Sequence, residues 1–241
     1  MTILYDLDVL IPAAGKGTRA GLDYPKTLYK IEGKEILLHI LELVEDIDSK
    51  PTLIVSPDGK KDIENFLFTY NRNSHLVVQE SPLGMGNAVL HFKESPVYKN
   101  ASNTLLIWGD IPFIRKETIT NLIKNHFNNN NDFTLITKEV NSAYTLVKRD
   151  QNKKIIQIIE TREMGLDPQK GERDIGLFLF KKELVLNILE ENHLDKFGNS
   201  TGEHGFLYII KYLAKRGFKI QGLPVAKEKE LKSLNSINDL I

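Results

Sequence analysis

The stretch LIPAAGKGTRAGLDYPKTLYKIEGK (residues 10–34) decides the fold and the first functional hypothesis. It opens with an apolar run typical of a buried strand, turns abruptly to glycine, and then carries Lys16, Arg19 and Lys26. A glycine-rich turn after a strand leaves backbone N–H groups free to face an anion. A planar guanidinium suits the edge of a phosphate, and an ammonium suits a single phosphate oxygen. The stretch therefore predicts a polyphosphate-binding loop.

Two common phosphate-binding patterns do not fit this loop. The Walker A pattern GxxxxGK[ST] is absent, and GxGxxG fails because Arg19 and Ala20 stand before Gly21. A surface turn with solvated lysines is the alternative, and Lys16 fits that description best. The Thr-Arg pair, followed six residues after Arg19 by Pro25-Lys26, favours the phosphate-binding interpretation.

Short strand patterns alternate with amphipathic helical patterns through the first half of the chain. The apolar runs 8–11, 53–55 and 105–108 do not alternate with polar residues, as expected for strands covered on both faces. This order predicts an α/β fold whose mostly parallel sheet is flanked by helices. Ligands of such sheets bind beyond the carboxyl ends of the strands, where the loop after 8–11 lies.

The second half has a different character. It carries a predicted hairpin around DQNKK, which we interpret as a substrate-facing β insertion, and helical patterns over 184–194 and 202–217. No internal repeat or linker divides the sequence. We therefore expect a single domain over residues 1–241, with a nucleotide-binding half (1–112) and an acceptor-binding half (113–241).

Composition excludes several classes of protein. The 32 Lys and Arg balance the 32 Asp and Glu, which argues against nucleic acid or an acidic membrane as a partner. The absence of cysteine excludes disulfides, thiolate catalysis and cysteine-ligated zinc. No apolar stretch approaches the ~18 residues of a membrane span, and the N-terminus lacks the basic region of a signal peptide. We expect a cytoplasmic protein, and nothing in the sequence indicates its oligomeric state.

A carboxylate complements the basic loop. Asp110 in WGDIP follows an apolar strand and a glycine, so it is expected at the same edge of the sheet as the loop. Magnesium prefers oxygen ligands, commonly one or two from protein with the rest from water and phosphate. Asp110 capping the following turn is the alternative. From this residue alone, a Mg²⁺ site and a turn cap both remain open.

These residues resemble a known family. The segment PAAGKGTRAGLDYPKTLYKIEGKEIL, followed by QESPLGMGNAV and LLIWGDIPFI, is similar to the sugar-phosphate nucleotidyltransferases. The similarity is greatest to the pyrophosphorylase (uridyltransferase) domain of bacterial N-acetylglucosamine-1-phosphate uridyltransferase. It continues more weakly to the end of the chain, without a counterpart of that family's C-terminal β-helix acetyltransferase domain. The resemblance implies a Rossmann-like nucleotidyltransferase fold. It also implies Mg²⁺-dependent transfer of a nucleotidyl group to a phosphorylated metabolite, with release of pyrophosphate.

The resemblance also assigns roles to individual positions. It implies that Arg19 grips the leaving pyrophosphate, that Lys26 bridges the α-phosphate and the incoming phosphate, and that Asn235 joins Asp110 at the metal. The implied nucleotide-binding residues are Pro12, Ala13, Ala14, Gly15, Gln79, Gly84 and Met85. An amide side chain such as that of Gln79 offers a donor and an acceptor, as a pyrimidine edge requires. Met85 and Asn87 replace the family's Thr and His, which weakens the uridine preference that the resemblance implies. UTP remains favoured, with CTP second.

The acceptor-binding positions depart from the family pattern. Tyr144 stands where the family has a glycine, Glu160 is retained, and Asp174 replaces an asparagine. A site built around hydrogen bonds discriminates strongly when those bonds are lost. We therefore expect a sugar 1-phosphate other than N-acetylglucosamine 1-phosphate, or another phosphorylated small molecule.

Two other functions remain open from the sequence. The chain resembles more distantly the cytidylyltransferase of isoprenoid synthesis, which also begins with a PAAG loop and acts on a non-sugar phosphate. A catalytically inactive nucleotide-binding regulator is the second alternative. The presence of Arg19, Lys26 and Asp110 favours an enzyme.

Overall fold

A seven-stranded sheet forms the centre of the molecule, with strand order β11-β7-β10-β6-β1-β4-β5. The computed structural model describes residues 5–17 and 21–234. In chain order the strands of this sheet are β1 (Leu7–Pro12), β4 (Thr52–Val55), β5 (His75–Val78), β6 (Asn103–Ile107), β7 (Phe133–Ala143), β10 (Gln169–Lys181) and β11 (Ile220–Leu223). Strands β1, β4, β5 and β6 pair in parallel, as do β7 and β11. Only β10 runs antiparallel to its neighbours in the sheet. The predicted mostly parallel sheet is confirmed.

Two short two-stranded sheets flank the main one. Strands β2 (Lys30–Ile31) and β3 (Lys34–Glu35) form the first. Strands β8 (Thr145–Arg149) and β9 (Ile155–Glu160) form the predicted hairpin, in which Thr145 pairs with Glu160.

Helices cover both faces of the main sheet, as the unbroken apolar strand patterns require. Helices α1 (Ile36–Val44), α2 (Lys60–Thr69) and α4 (Lys116–Asn128) pack on the face reached by Val9 and Ile11. Helices α3 (Met85–Leu90), α5 (Lys182–Glu190) and α6 (Ile209–Lys215) pack on the opposite face, reached by Leu10. Successive β1 side chains thus enter opposite cores, since strand side chains alternate in direction. No helix in the described residues is long and apolar enough to cross a membrane.

The predicted helix over 202–217 is wrong in its first half, because α6 begins only at Ile209. The backbone of His204 instead donates to Leu83 O at 2.6 Å and accepts from Gly86 N at 3.0 Å. These bonds tie the segment to a loop 120 residues earlier in the chain and use the groups that a helix would need. The helix predicted over 184–194 begins at Lys182 and ends at Glu190.

A buried ion pair fixes α5 against the start of β1. Lys182 Nζ lies 2.8 Å from Asp8 Oδ2 and also donates to the carbonyl of Tyr98. The lysine side chain is 2% exposed and lies over the rings of Phe92 and Tyr98. Burial raises the pKa of Asp8, which Lys182 opposes by its hydrogen bond and its charge. Removing one member of such a pair leaves an uncompensated buried charge.

We expect Lys182→Met to lower the free energy of unfolding by about 3–5 kcal/mol, measured by urea denaturation. Adding Asp8→Asn should recover part of this loss, because the buried carboxylate charge is then gone. Lys181→Met is the matched control, since the Lys181 side chain is 41% exposed and its pair with Asp132 is only partly buried. This variant should cost under about 1 kcal/mol. Equal costs for the two lysine variants would contradict the buried-pair argument.

A buried histidine makes the stability dependent on pH. His126 on α4 lies 2.9 Å from Thr134 Oγ1 through Nδ1 and 3.1 Å from Asn103 Oδ1 through Nε2. Burial lowers the pKa of His126 to about 4. At pH values between the unfolded-state pKa near 6.5 and the folded-state pKa, His126 binds a proton in the unfolded chain but not in the folded chain. The stability that neutral His126 contributes is therefore fully present above pH 6.5 and is lost as the pH falls towards 4.

We expect the difference in unfolding free energy between the native chain and His126→Asn to shrink by on the order of 2–3 kcal/mol between pH 7 and pH 4.5. Parallel urea denaturations of the two proteins across this range measure the difference. A difference that stays constant with pH would show that His126 does not resist protonation.

Candidate active site

The loops that follow β1, β5 and β6 meet at one edge of the sheet. These three strands run in parallel with β4, so their carboxyl ends lie together. Backbone bonds continue this arrangement past the strand ends: Ala13 N donates to Ile54 O at 2.7 Å, and Gln79 N donates to Val55 O at 2.8 Å. The predicted nucleotide-binding segments thus lie at the edge where ligands of such sheets bind.

Lys26 and Asp110 form the centre of this edge. Lys26 begins a one-turn 3₁₀ helix (Lys26–Leu28), and its backbone N–H donates to Gly15 O at 3.1 Å. Its Nζ lies 2.5 Å from Asp110 Oδ2, an ion pair between residues 84 positions apart. The Lys26 side chain crosses Gly15, where a Cβ would lie 3.1 Å from Lys26 Cε. The basic loop and the predicted metal ligand therefore face each other directly.

Gly109 permits this approach. A Cβ at Gly109 would lie 2.3 Å from Pro12 O, closer than any side chain tolerates. The Gly-Asp pair after β6 can therefore lie beside the loop after β1 only because the first residue has no side chain.

Asp110 retains an unused ligand atom. Its Oδ1 is buried and has no hydrogen-bond partner in the described part of the chain. The backbone of Asp110 accepts from Leu234 N at 3.0 Å, and Leu234 O lies 3.4 Å from Lys26 Nζ. A buried carboxylate oxygen without a partner is costly unless something binds it, and a hard divalent cation fits it. Asn235 and Arg19, the other predicted ligand and cation, lie outside the described residues.

The loop after β5 is held from within by Gln79. This side chain is 4% exposed, and its Nε2 donates to Asn87 Oδ1 at 2.7 Å and to Gly84 O at 3.3 Å. Both amide hydrogens are thus used inside the loop, leaving only the oxygen for a ligand. Gly84 has φ +103°, and a Cβ there would lie 2.5 Å from His204 O. The loop therefore packs directly on the segment around His204.

A cavity of about 760 Å³ opens beside this loop. Its lining includes Met85, Trp108, Glu160, Phe197 and Glu203. Its volume is within the usual range for small-molecule sites. Trp108, which lines the cavity, immediately precedes Gly109 and Asp110 in the sequence. A lining residue of the cavity is therefore two positions from the carboxylate of the ion pair. Of the three predicted acceptor-binding residues, Glu160 lines this cavity.

Tyr144 and Asp174 are not among the residues that line the cavity. Asp174 is 1% exposed and accepts from Thr145 Oγ1 at 2.6 Å and from Gly176 N at 2.9 Å, so both oxygens bind protein groups. Burial raises the pKa of Asp174. The Arg173 guanidinium lies 3.9 Å from the centre of the Tyr144 ring and donates to its hydroxyl.

Charges couple these residues to the ion pair. Burial raises the pKa of Tyr144 to about 12, with contributions from the charges of Asp174 and Asp110, while Arg173 acts in the opposite direction. Tyr144 therefore lies within the electrostatic field of the predicted metal ligand. Burial raises the pKa of Glu160 to about 7, assisted by the negative charges of nearby carboxylates.

Two residues at the site were not predicted to be functional. Trp108 lines the cavity, and its buried Nε1–H has no partner within the described residues. Arg173 is a buried cation stacked on Tyr144. The sequence signal for Arg173 was a charged residue entering the apolar run DIGLFLF, whereas a tryptophan at a strand end gives no distinct signal.

Comparisons with known proteins agree with this geometry. The chain is 31% identical over 231 residues to the bifunctional protein GlmU of Clostridium botulinum, covering 94% of this chain and 49% of that protein. It spans about half the length of the curated relatives it matches. Structures with the same fold include UDP-glucose pyrophosphorylase in complex with UDP-glucose, with TM-score 0.71, 17% identity, and coverage of 94% of this chain and 96% of that one. Inositol-1-phosphate CTP transferase of T. maritima matches with TM-score 0.70 and 16% identity, covering 91% of this chain and 85% of that one.

A family model described as the MobA-like NTP transferase domain matches residues 9–175, which include Lys26, Asp110 and Glu160. The resemblance to nucleotidyltransferases is thus confirmed across the strands and loops that build the site. The chain belongs to the MobA-like NTP transferase domain family.

Proposed function

We propose that the protein transfers a nucleotidyl group from a nucleoside triphosphate to a phosphorylated small molecule and releases pyrophosphate. An oxygen of the acceptor phosphate attacks the α-phosphorus of the triphosphate. The bond from that phosphorus to the bridging oxygen of the β-phosphate breaks, and pyrophosphate leaves with the electron pair. The observation that carries the proposal is the Lys26–Asp110 ion pair at the carboxyl edge of the sheet, beside a cavity.

The protein's part in this reaction is positioning and charge neutralisation. The Lys26 ammonium is placed to attract the α-phosphate and the acceptor phosphate together. Loop residues Pro12, Ala13, Ala14 and Gly15 place backbone groups beside it, and Arg19 is proposed to hold the departing pyrophosphate. Gln79 maintains the loop in which Gly84 and Met85 meet the base.

Asp110 fits a divalent cation, proposed to be Mg²⁺, because its Oδ1 is buried and unpartnered. The described residues contain no group of three or more His, Cys, Asp or Glu side chains that could hold a metal, so substrate phosphates would supply further ligands. Asn235 is proposed as the second protein ligand. A bound magnesium ion neutralises charge on the triphosphate.

The nucleotide and the acceptor follow from the two halves of the chain. Residues 1–112 contribute the phosphate and base loops, and residues 113–241 contribute Tyr144, Glu160 and Asp174. UTP is the favoured nucleotide, with CTP second, and the acceptor is a sugar 1-phosphate or a similar phosphorylated metabolite in a cytoplasmic enzyme. Transfer of CMP to a non-sugar phosphate is the second candidate, favoured by the altered acceptor positions. An inactive regulator is disfavoured, because nothing in the Lys26–Asp110 pair is missing.

We expect Lys26→Ala to lower the rate of pyrophosphate release by about 10²-fold or more, because a preorganised charge in a half-buried site is lost. Lys16→Ala is the matched control from the same loop. Lys16 is half exposed, pairs with exposed Asp58 and should leave the rate near that of the native chain. A coupled pyrophosphate assay with UTP or CTP measures both variants. Similar rates for Lys26→Ala and Lys16→Ala would remove Lys26 from the catalytic assignment.

We expect Asp110→Asn to weaken the binding of Mn²⁺ in the presence of a non-hydrolysable UTP analogue at least tenfold. The substitution preserves shape and removes the carboxylate charge that a hard cation requires. Electron paramagnetic resonance of Mn²⁺ measures this without turnover. Asp58→Asn, at an exposed carboxylate, is the control. Unchanged Mn²⁺ affinity in Asp110→Asn would exclude Asp110 as a ligand.

A further inference from the structure

The acceptor cavity contains an uncompensated carboxylate. Glu160 lines the cavity at the end of β9, and its side chain makes no hydrogen bond or ion pair within the described residues. Its Oε1 lies near Gly205, 3.8 Å from where a Cβ of that glycine would stand. A largely buried carboxylate without a partner is destabilising, which makes it a natural binding site for a complementary ligand group.

The charged groups around Glu160 are mostly negative. Asp174 lies behind it, while Glu163 and Glu203 share the cavity wall, and all three raise the pKa of Glu160. Arg162, an exposed residue of the cavity lining, acts in the opposite direction and lowers the pKa of Glu160.

The other basic groups of the lining do not remove this excess. Lys211 is paired with Asp195 at 2.6 Å, and Lys215 is exposed at the end of α6. Glu163 accepts from the backbone N–H groups of Ser200 and Thr201, which keeps its pKa low and its negative charge in place. The field at Glu160 therefore favours a cation.

Aromatic rings complete the wall. Trp108 and Phe197 line the same cavity, the latter 54% exposed, together with Tyr208 and Tyr212. Aromatic faces attract ammonium groups through their quadrupole, most strongly for tryptophan. A carboxylate beside aromatic side chains suits an ammonium or quaternary ammonium group better than a neutral hydroxyl.

We propose that the cavity binds a phosphorylated acceptor bearing an ammonium group, with Glu160 as its counter-charge and Trp108 as part of the aromatic wall. This inference rests on the proposed nucleotidyl transfer and names the class of its acceptor. The acceptor phosphate faces Lys26 while the ammonium enters the cavity. An acceptor with a second anionic group at this end meets repulsion from Glu160, Glu163 and Glu203.

Matched pairs of acceptors test the proposal with the full chain. One pair is glucosamine 1-phosphate and glucose 1-phosphate, and the other is phosphocholine and 2-hydroxyethyl phosphate, each with UTP and with CTP. We expect kcat/KM for pyrophosphate release to be at least tenfold higher for the ammonium-bearing member of one pair. The productive pair then distinguishes an amino sugar from a small amino alcohol. Equal or greater turnover of the members without an ammonium group would overturn the inference while leaving nucleotidyl transfer intact.

Glu160→Gln tests the counter-charge directly. We expect this variant to lose most of the preference for the ammonium-bearing member, measured as the ratio of the two kcat/KM values within the same protein. Glu64→Gln, an exposed carboxylate on α2, is the matched control and should keep the preference. A preference that survives Glu160→Gln would overturn the role of Glu160.

Calorimetry separates failure of the acceptor class from failure of the proposed function. The binding of phosphocholine and of glucosamine 1-phosphate should each be compared with that of the paired acceptor that lacks the ammonium group. No pyrophosphate from any combination would contradict the proposed function, and the binding measurement would still decide the charge preference. Absence of that preference in binding would overturn the inference whatever the activity.

The pH dependence provides an independent check. Glu160, whose pKa is about 7, gains its charge as the pH rises, and phosphocholine keeps its positive charge throughout. Its binding preference over 2-hydroxyethyl phosphate should therefore increase severalfold between pH 6 and pH 8 in the native chain and not in Glu160→Gln. A preference in the native chain that does not change with pH would contradict the assignment.

Discussion

The ion pair between Lys26 and Asp110 is the contact on which the rest of the site depends. It joins the loop after β1 to the loop after β6, and those strands are neighbours in register, Leu10 beside Leu106. Gly109 keeps the two loops close, since any side chain there would strike Pro12 O. The sheet thus positions a cation and an anion that are far apart in the chain, without a loop having to fold back over a long distance.

An ion pair lies near each end of strand β1, and the two pairs differ in how completely the protein compensates their charges. At the amino end, Asp8 and Lys182 are buried, and Lys182 has a further carbonyl partner. Each charge there is matched by protein, as stability requires. At the carboxyl end, Asp110 keeps a buried oxygen without a partner, and Lys26 is partly exposed. A buried charge that the protein compensates only in part is expected where a bound ligand completes the site.

The sequence predicts those features that depend on neighbours in the chain. Unbroken apolar runs identified β1, β4 and β6, and the parallel order then placed the loops of Lys26 and Asp110 at one edge. Features that depend on distant partners were not predicted. Residues 202–208 have apolar spacing suited to a helix, but His204 hydrogen-bonds the loop near Gly86 and stays extended. The stacking of Arg173 on Tyr144 joins residues on different strands, which periodicity does not report.

The site is electrically polarised although the chain as a whole carries no net charge. The proposed nucleotide side presents Lys26 beside glycine-rich backbone, whereas the proposed acceptor side presents Glu160 with Glu163 and Glu203. A purely anionic acceptor matches one side of this field and opposes the other. An acceptor with a phosphate at one end and an ammonium at the other matches both, so its orientation is fixed before any specific hydrogen bond forms. Charge alone then aligns the attacking oxygen with the nucleotide, which is the positioning on which phosphoryl-group transfer chiefly depends.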